Sequence, residues 1–197
     1  MTDERLKQQL EFVLEIDKEK NIFRQTHLSG HGRNENDAEH AWHMAIMAYL
    51  LREYSNEEID IARVMLMCLI HDIVEIDAGD TYAYDAAGNE TKRARELAAA
   101  ERIFPILPKE QAEEYRSLWD EFEERKTPEA KFARMLDNVQ PVLLNNASGG
   151  KSWREHGVKK SQIMARNERT HEGSEVIWEY LKNIIDENVK KGNIIQN

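Results

Sequence analysis

Hydrophobic positions along the chain recur mostly at helical spacing. From about Thr2 to Lys20, the residues Leu6, Leu10, Val13 and Leu14 share one face of a predicted first helix. A polar connection from Asn21 to Asn36 holds Arg24, His27, His31 and Arg33, and Gly30 and Gly32 mark turning backbone there. A second helix is predicted from about Asp37 to Tyr54. Ser55 and Glu58 have capping-box spacing and predict the start of a third helix. Its Val64–Ile70 stretch is apolar nearly all round, which predicts a central, buried position.

A loop is expected from Asp77 to Asn89, then helices over about Glu90–Phe104 and Lys109–Arg125. Thr127-Pro128 reads as a cap followed by proline in the first turn of a sixth helix. Pro141 is expected to kink that helix just after Asp137. Ala147 to Gly157 reads as a flexible, cationic loop, followed by two helices over about Val158–Asn167 and Thr170–Lys191. No segment makes a convincing strand. The expected architecture is all-α, a bundle of about seven to eight helices. One domain is expected over 1–197, with its core over roughly 5–185.

Composition supports helices: only 9 Gly and 4 Pro occur among 197 residues. The chain has 27 Lys+Arg against 37 Asp+Glu, a net charge of −10. That balance argues against a duplex nucleic-acid partner, whose footprint is basic. It leaves small anionic substrates open, because a few local arginines override the global sign. The Val64–Ile70 run is far shorter than the ~20 residues of a membrane span. The N-terminal stretch lacks a secretory signal pattern, so a cytoplasmic location is expected. The single cysteine, Cys68, lies inside the apolar run and reads as a buried structural thiol.

Candidate chemistry begins where that run ends, at His71-Asp72. Burying an imidazole and a carboxylate needs compensation, and a metal ion supplies it. His40 in the second helix and Asp137 in the sixth lie in similarly apolar surroundings. With His71 and Asp72 they make a nitrogen and oxygen set suited to a divalent cation. Taken singly, each has another reading. A core histidine is commonly held by hydrogen bonds, Asp72 is placed as a helix-end carboxylate, and Asp137 has Arg134 and Lys131 nearby. Glu75 falls one helical turn after His71, where it can position water or protonate a leaving oxygen. Asp80, beyond Gly79, adds a carboxylate at the rim. His43, one turn from His40, is expected to support the site rather than ligate. Lys151, Arg154 and His156 would hold phosphate if their loop folds over the pocket, or form a solvated surface.

The order His40 … His71-Asp72 … Asp137 resembles the H…HD…D signature of the HD superfamily of metal-dependent phosphohydrolases. The strings Asp37-Ala38-Glu39-His40 and His71-Asp72-Ile73-Val74-Glu75, continuing to Gly79-Asp80, resemble the 5′-deoxynucleotidase and oxetanocin-like branch. The resemblance implies His40, His71, Asp72 and Asp137 as metal ligands and Glu75 as the catalytic carboxylate. It implies Asp80 on the sugar side of a nucleotide, and Arg24 and Arg33 as phosphate-binding arginines. Gln25 stands where the nucleotidases carry a tryptophan after the first arginine. No histidine lies between His71 and His156, so one ion is expected, with Mn, Co, Fe, Ni, Zn or Mg all compatible.

These readings lead to a phosphomonoesterase acting on nucleoside or deoxynucleoside 5′-monophosphates. Other phosphorylated metabolites, nucleoside triphosphates and a non-catalytic nucleotide sensor are the alternatives. The resemblance and the amphipathic C-terminal helix also imply a homodimer.

Overall fold

The computed structural model describes residues 2–30 and 32–197, so His31 of the polar connection lies outside the described residues. Seven helices of ten residues or more carry the architecture: α1 (Thr2–Ile16), α2 (Asp37–Leu51), α3 (Ile61–Ile70), α5 (Ala86–Ile103), α6 (Lys109–Glu124), α7 (Pro128–Ala147) and α10 (Glu175–Lys190). Three short ones, α4 (Glu75–Ala78), α8 (Lys151–Glu155) and α9 (Lys160–Arg166), stand between them. The expected all-α class holds.

The core forms where α2, α3 and α7 pack on one another. Met44 and Ala48 of α2, Val64 and Met67 of α3, and Phe132 and Leu136 of α7 are fully buried there. Trp119 and Phe122 of α6 close one side, and Leu181 and Ile185 of α10 belong to the same cluster. Cys68 is fully buried in that cluster, and burial pushes its thiol pKa up. Among the described residues, no helix is long and apolar enough to cross a membrane.

Several expectations need correction. The polar connection contains a two-stranded antiparallel hairpin, β1 (Phe23–His27) and β2 (Asn34–Asn36), although no strand was expected. Gly30 and Gly32 carry positive φ in its turn, and Leu28 N–H donates to the Arg33 carbonyl at 2.9 Å. The third helix does not start at Ser55. Asp60 caps it, accepting from the N–H groups of Ala62 and Arg63. Helix α7 has Pro141 inside it, as expected, and runs to Ala147. The expected loop at 147–157 contains the ordered helix α8, with Ser152 and Trp153 buried.

The α1 stripe also differs from an ordinary core face. Leu6, Leu10, Val13 and Leu14 are 53–72% exposed. The helix instead docks through Phe12, whose ring meets Tyr115 edge-on at 5.6 Å. Trp42, Ile46, Tyr49 and Leu50 make a second uncovered apolar stripe on α2.

Candidate metal centre

Three stretches, the start of α2, the turn after α3 and the middle of α7, bring the candidate ligands to one place. Asn36 caps α2 in a reciprocal capping box with Glu39, which fixes the helix start just before His40. Helix α3 ends at Ile70, so His71 and Asp72 fall in the turn leading to α4. The His71 carbonyl accepts from Trp119 Nε1 at 3.1 Å, and its Nδ1 faces the Cys68 carbonyl at 2.9 Å. That contact directs Nε2 inward. Helix α4 begins at Glu75 and stops at Gly79, whose φ of 72° suits glycine. Asp137 arrives from α7.

His40, His71, Asp72 and Asp137 are all buried. His71 Nε2 lies 3.0 Å from Asp72 Oδ2 and 3.8 Å from Asp137 Oδ1, and His40 Nε2 lies 3.3 Å from that same oxygen. Adjacent donors around an ion with ~2.0–2.2 Å bonds stand about 3.0–3.5 Å apart; the 3.0 and 3.3 Å separations fall within that span and the 3.8 Å one lies just beyond it. His71 Nε2 has no hydrogen-bond partner despite its burial, which suits a nitrogen that ligates a metal. The donor set of two imidazoles and two carboxylates suits a borderline or hard divalent metal.

Electrostatics agree. Burial disfavours charge on Asp72 and Asp137, yet His71 and Arg24 hold Asp72, and His40 and Arg134 hold Asp137, well below the usual carboxylate range. Burial and Arg24 work against a charged His40, but Asp137 and Glu35 outweigh them and push it up to about 9. A divalent ion held here would take the place of a proton on Nε2.

Beside this set, Asp37, Asp72 and Glu75 also converge. Arg24 of β1 reaches between them, its Nη1 donating to Asp72 Oδ2 at 2.7 Å and to Asp37 Oδ1 at 3.1 Å. Glu75 is buried, with Oε1 accepting from Lys92 Nζ at 3.3 Å and Oε2 unpartnered. Burial and the Asp72 charge raise its pKa well above the usual value, against the pull of Lys92. Burial likewise raises that of Asp80, against the pull of Arg24.

Arg24, Asp72, Glu75, Asp80 and Asp137 all line one open pocket. Arg33, Lys151 and Arg154 do not. Arg33 grips Glu39 through both terminal nitrogens, at 3.0 and 2.6 Å. Lys151 donates to the Gly32 carbonyl, tying α8 to the hairpin, and Arg154 donates to Asn193 Oδ1. The pocket's other cations are Lys92, Arg134 and Arg166, which the sequence reading did not single out as phosphate ligands. Arg134 pairs with Asp137 at 3.1 Å, the neighbour its spacing suggested. Asp37 was legible as an acidic residue one turn before His40, whereas Lys92 and Arg166 carry no signal that separates them from solvated charges. His43 contacts Gln140 at 3.1 Å rather than the ligand set.

The HD domain family profile matches residues 16–178. The human 5′-deoxynucleotidase HDDC2 is 32% identical over 111 residues, 56% of this chain and 53% of that protein. The Schizosaccharomyces pombe 5′-deoxynucleotidase hdd1 is 30% identical over 112 residues, 55% of each chain. The chain thus spans about half the length of these curated relatives. A crystal structure of a predicted metal-dependent phosphohydrolase from Magnetospirillum magnetotacticum MS-1 shares 47% identity. It superposes with a TM-score of 0.94 over 98% of this chain and 97% of that one. With a family match across most of its length and the H…HD…D residues gathered at one point, the chain belongs to the HD domain family.

Proposed function

We propose that this protein is a metal-dependent phosphohydrolase that releases phosphate from nucleoside or deoxynucleoside 5′-monophosphates. The carrying observation is the convergence of His40, His71, Asp72 and Asp137, whose two carboxylates line a pocket together with Arg24, Lys92, Arg134 and Arg166. The names of the HDDC2 relatives and of the Magnetospirillum protein support the same reaction class. The four ligand residues would hold one divalent ion, and His43, turned to Gln140, stays outside that set. When bound, such an ion supplies Lewis acidity and makes water acidic enough to react at neutral pH.

The chain's own residues supply the rest. Four cationic side chains in the pocket face the carboxylates of Asp72, Glu75, Asp80 and Asp137. With Glu75 protonated, the four cations exceed the three remaining carboxylates by one, and a divalent ion would add to that excess, which favours a dianionic phosphomonoester. Arg24 is held in place by Asp37 and Asp72 and presents a fixed positive charge to the phosphate. Glu75, kept protonated by burial and the Asp72 charge, gives its proton to the departing 5′ oxygen. Asp80, at the rim, contacts the sugar. The exposed stripes on α1 and α2 support a homodimer, since such faces seek a partner.

The test is phosphate release by metal-stripped protein reloaded with Mn²⁺, Co²⁺, Ni²⁺, Zn²⁺ or Mg²⁺, across nucleoside and deoxynucleoside mono- and triphosphates. Release from monophosphates with at least one ion is expected. No release from any substrate with any ion would overturn the enzyme reading.

Arg166 is the pocket cation with no hydrogen bond to a carboxylate among the described residues. It stands 3.8 Å from Asp137 Oδ2, with its side chain 34% exposed. Its donors are therefore available to substrate. Arg166→Ala is expected to raise KM about tenfold or more with a smaller change in kcat, the cost of one charge-assisted hydrogen bond. A wild-type KM in the variant would remove Arg166 from the substrate site.

A further inference from the structure

Glu35 lies in the middle of β2, where alternation turns its side chain inward and leaves it 1% exposed. It is a buried carboxylate that the reaction outlined above does not use. Its Oε1 accepts from Gln140 Nε2 at 2.6 Å. The same amide nitrogen is 3.1 Å from His43 Nδ1, so Gln140 braces Glu35 from behind. Its Oε2 has no hydrogen bond and faces two nitrogens that also lack one. These are His40 Nδ1 at 3.6 Å and Arg24 Nε at 3.9 Å. Among the described residues, Glu35 is the carboxylate within salt-bridge reach of His40 Nδ1.

Two unpartnered donors and one unpartnered acceptor, buried together, match in chemistry and miss hydrogen-bond distance by tenths of an ångström. On the other side of the ring, His40 Nε2 points to Asp137. We propose that Glu35 is a positioning residue. It accepts the Nδ1 proton of His40, fixing the tautomer whose Nε2 lone pair faces the metal site, and it orients Arg24 through Nε. A carboxylate behind a ligating imidazole raises its basicity and locks its rotation. One residue of the hairpin thereby sets both a metal ligand and a phosphate-facing arginine. The inference rests on the proposed metal site, and its test separates the two.

Full-length protein is stripped of metal and titrated with Co²⁺ in competition with a chelating dye, and the visible absorption of the Co²⁺ centre is recorded. Wild type is expected to bind stoichiometric Co²⁺. Glu35→Gln conserves shape and packing but not charge. It is expected to bind Co²⁺ about tenfold more weakly, with a displaced absorption band, at an unchanged melting temperature. Glu35→Ala is expected to weaken binding further, toward about a hundredfold. A folded Glu35→Gln protein with wild-type affinity and spectrum would overturn the role of Glu35 while leaving the metal site intact. Absence of stoichiometric Co²⁺ in the wild type would overturn both.

Discussion

Asp72→Asn should abolish stoichiometric divalent metal and lower phosphate release by at least about a thousandfold, the scale expected when a catalytic cation is lost. Asp72 Oδ2 lies 3.0 Å from His71 Nε2 and 2.7 Å from Arg24 Nη1, so it serves both the ligand set and the phosphate-facing arginine. Asparagine keeps the volume but loses the charge. Removing half of a buried ion pair is ordinarily strongly destabilising because the partner is stranded. Here Arg24 retains Asp37 at 3.1 Å, so the fold should survive, with a melting temperature close to wild type. Chelation of the wild-type protein should reproduce the loss, and added metal should restore activity to the chelated protein but not to the variant. Stoichiometric metal together with wild-type turnover in Asp72→Asn would refute the assigned centre.

The helices were legible because their apolar positions repeat at helical spacing, and His71-Asp72 was legible because it follows directly on the apolar run that ends α3. The hairpin was not. Its strands are short and polar, and the pairing of Phe23 with Asn36 is a non-local fact that no local alternation announces. Periodicity showed that Leu6, Leu10, Val13 and Leu14 share a face, but not that Phe12 would be the residue that docks α1. Ser55 and Glu58 had the spacing of a cap, while Asp60 stood nearer the true helix start. Arg33, Lys151 and Arg154 had the right charge near the right motifs, yet each found a structural partner, in Glu39, the Gly32 carbonyl and Asn193. Lys92 and Arg166, which do face the pocket, sit in charge-rich helices where solvated and functional cations look alike. Glu35 and Gln140 gain meaning only when β2 is laid against α7.

Glu75→Gln should keep the metal and lose turnover by about 10²- to 10⁴-fold, the usual share of a general acid or base. Glu75 begins α4 one turn after His71 and lines the pocket, yet the arrangement of His40, His71, Asp72 and Asp137 does not require it to hold an ion. Its Oε2 is buried without a partner. Burial and the Asp72 charge favour the protonated carboxyl, with Lys92 pulling the other way. Glutamine preserves the packing, Lys92 keeps Glu96 at 3.3 Å, and Arg95 and Arg102 of α5 still hold the Ala78 carbonyl and Asp77 of α4, so the helix pair should hold. The sign of the pH effect follows from the role. An acid must be protonated to act, so wild-type kcat/KM should fall as pH rises through the elevated Glu75 pKa. That alkaline limb should be missing from the residual activity of Glu75→Gln. Metal analysis and the pH profile therefore discriminate between two roles. Loss of metal in the variant would make Glu75 a ligand, whereas full activity with metal bound would leave the leaving oxygen to be protonated by another group.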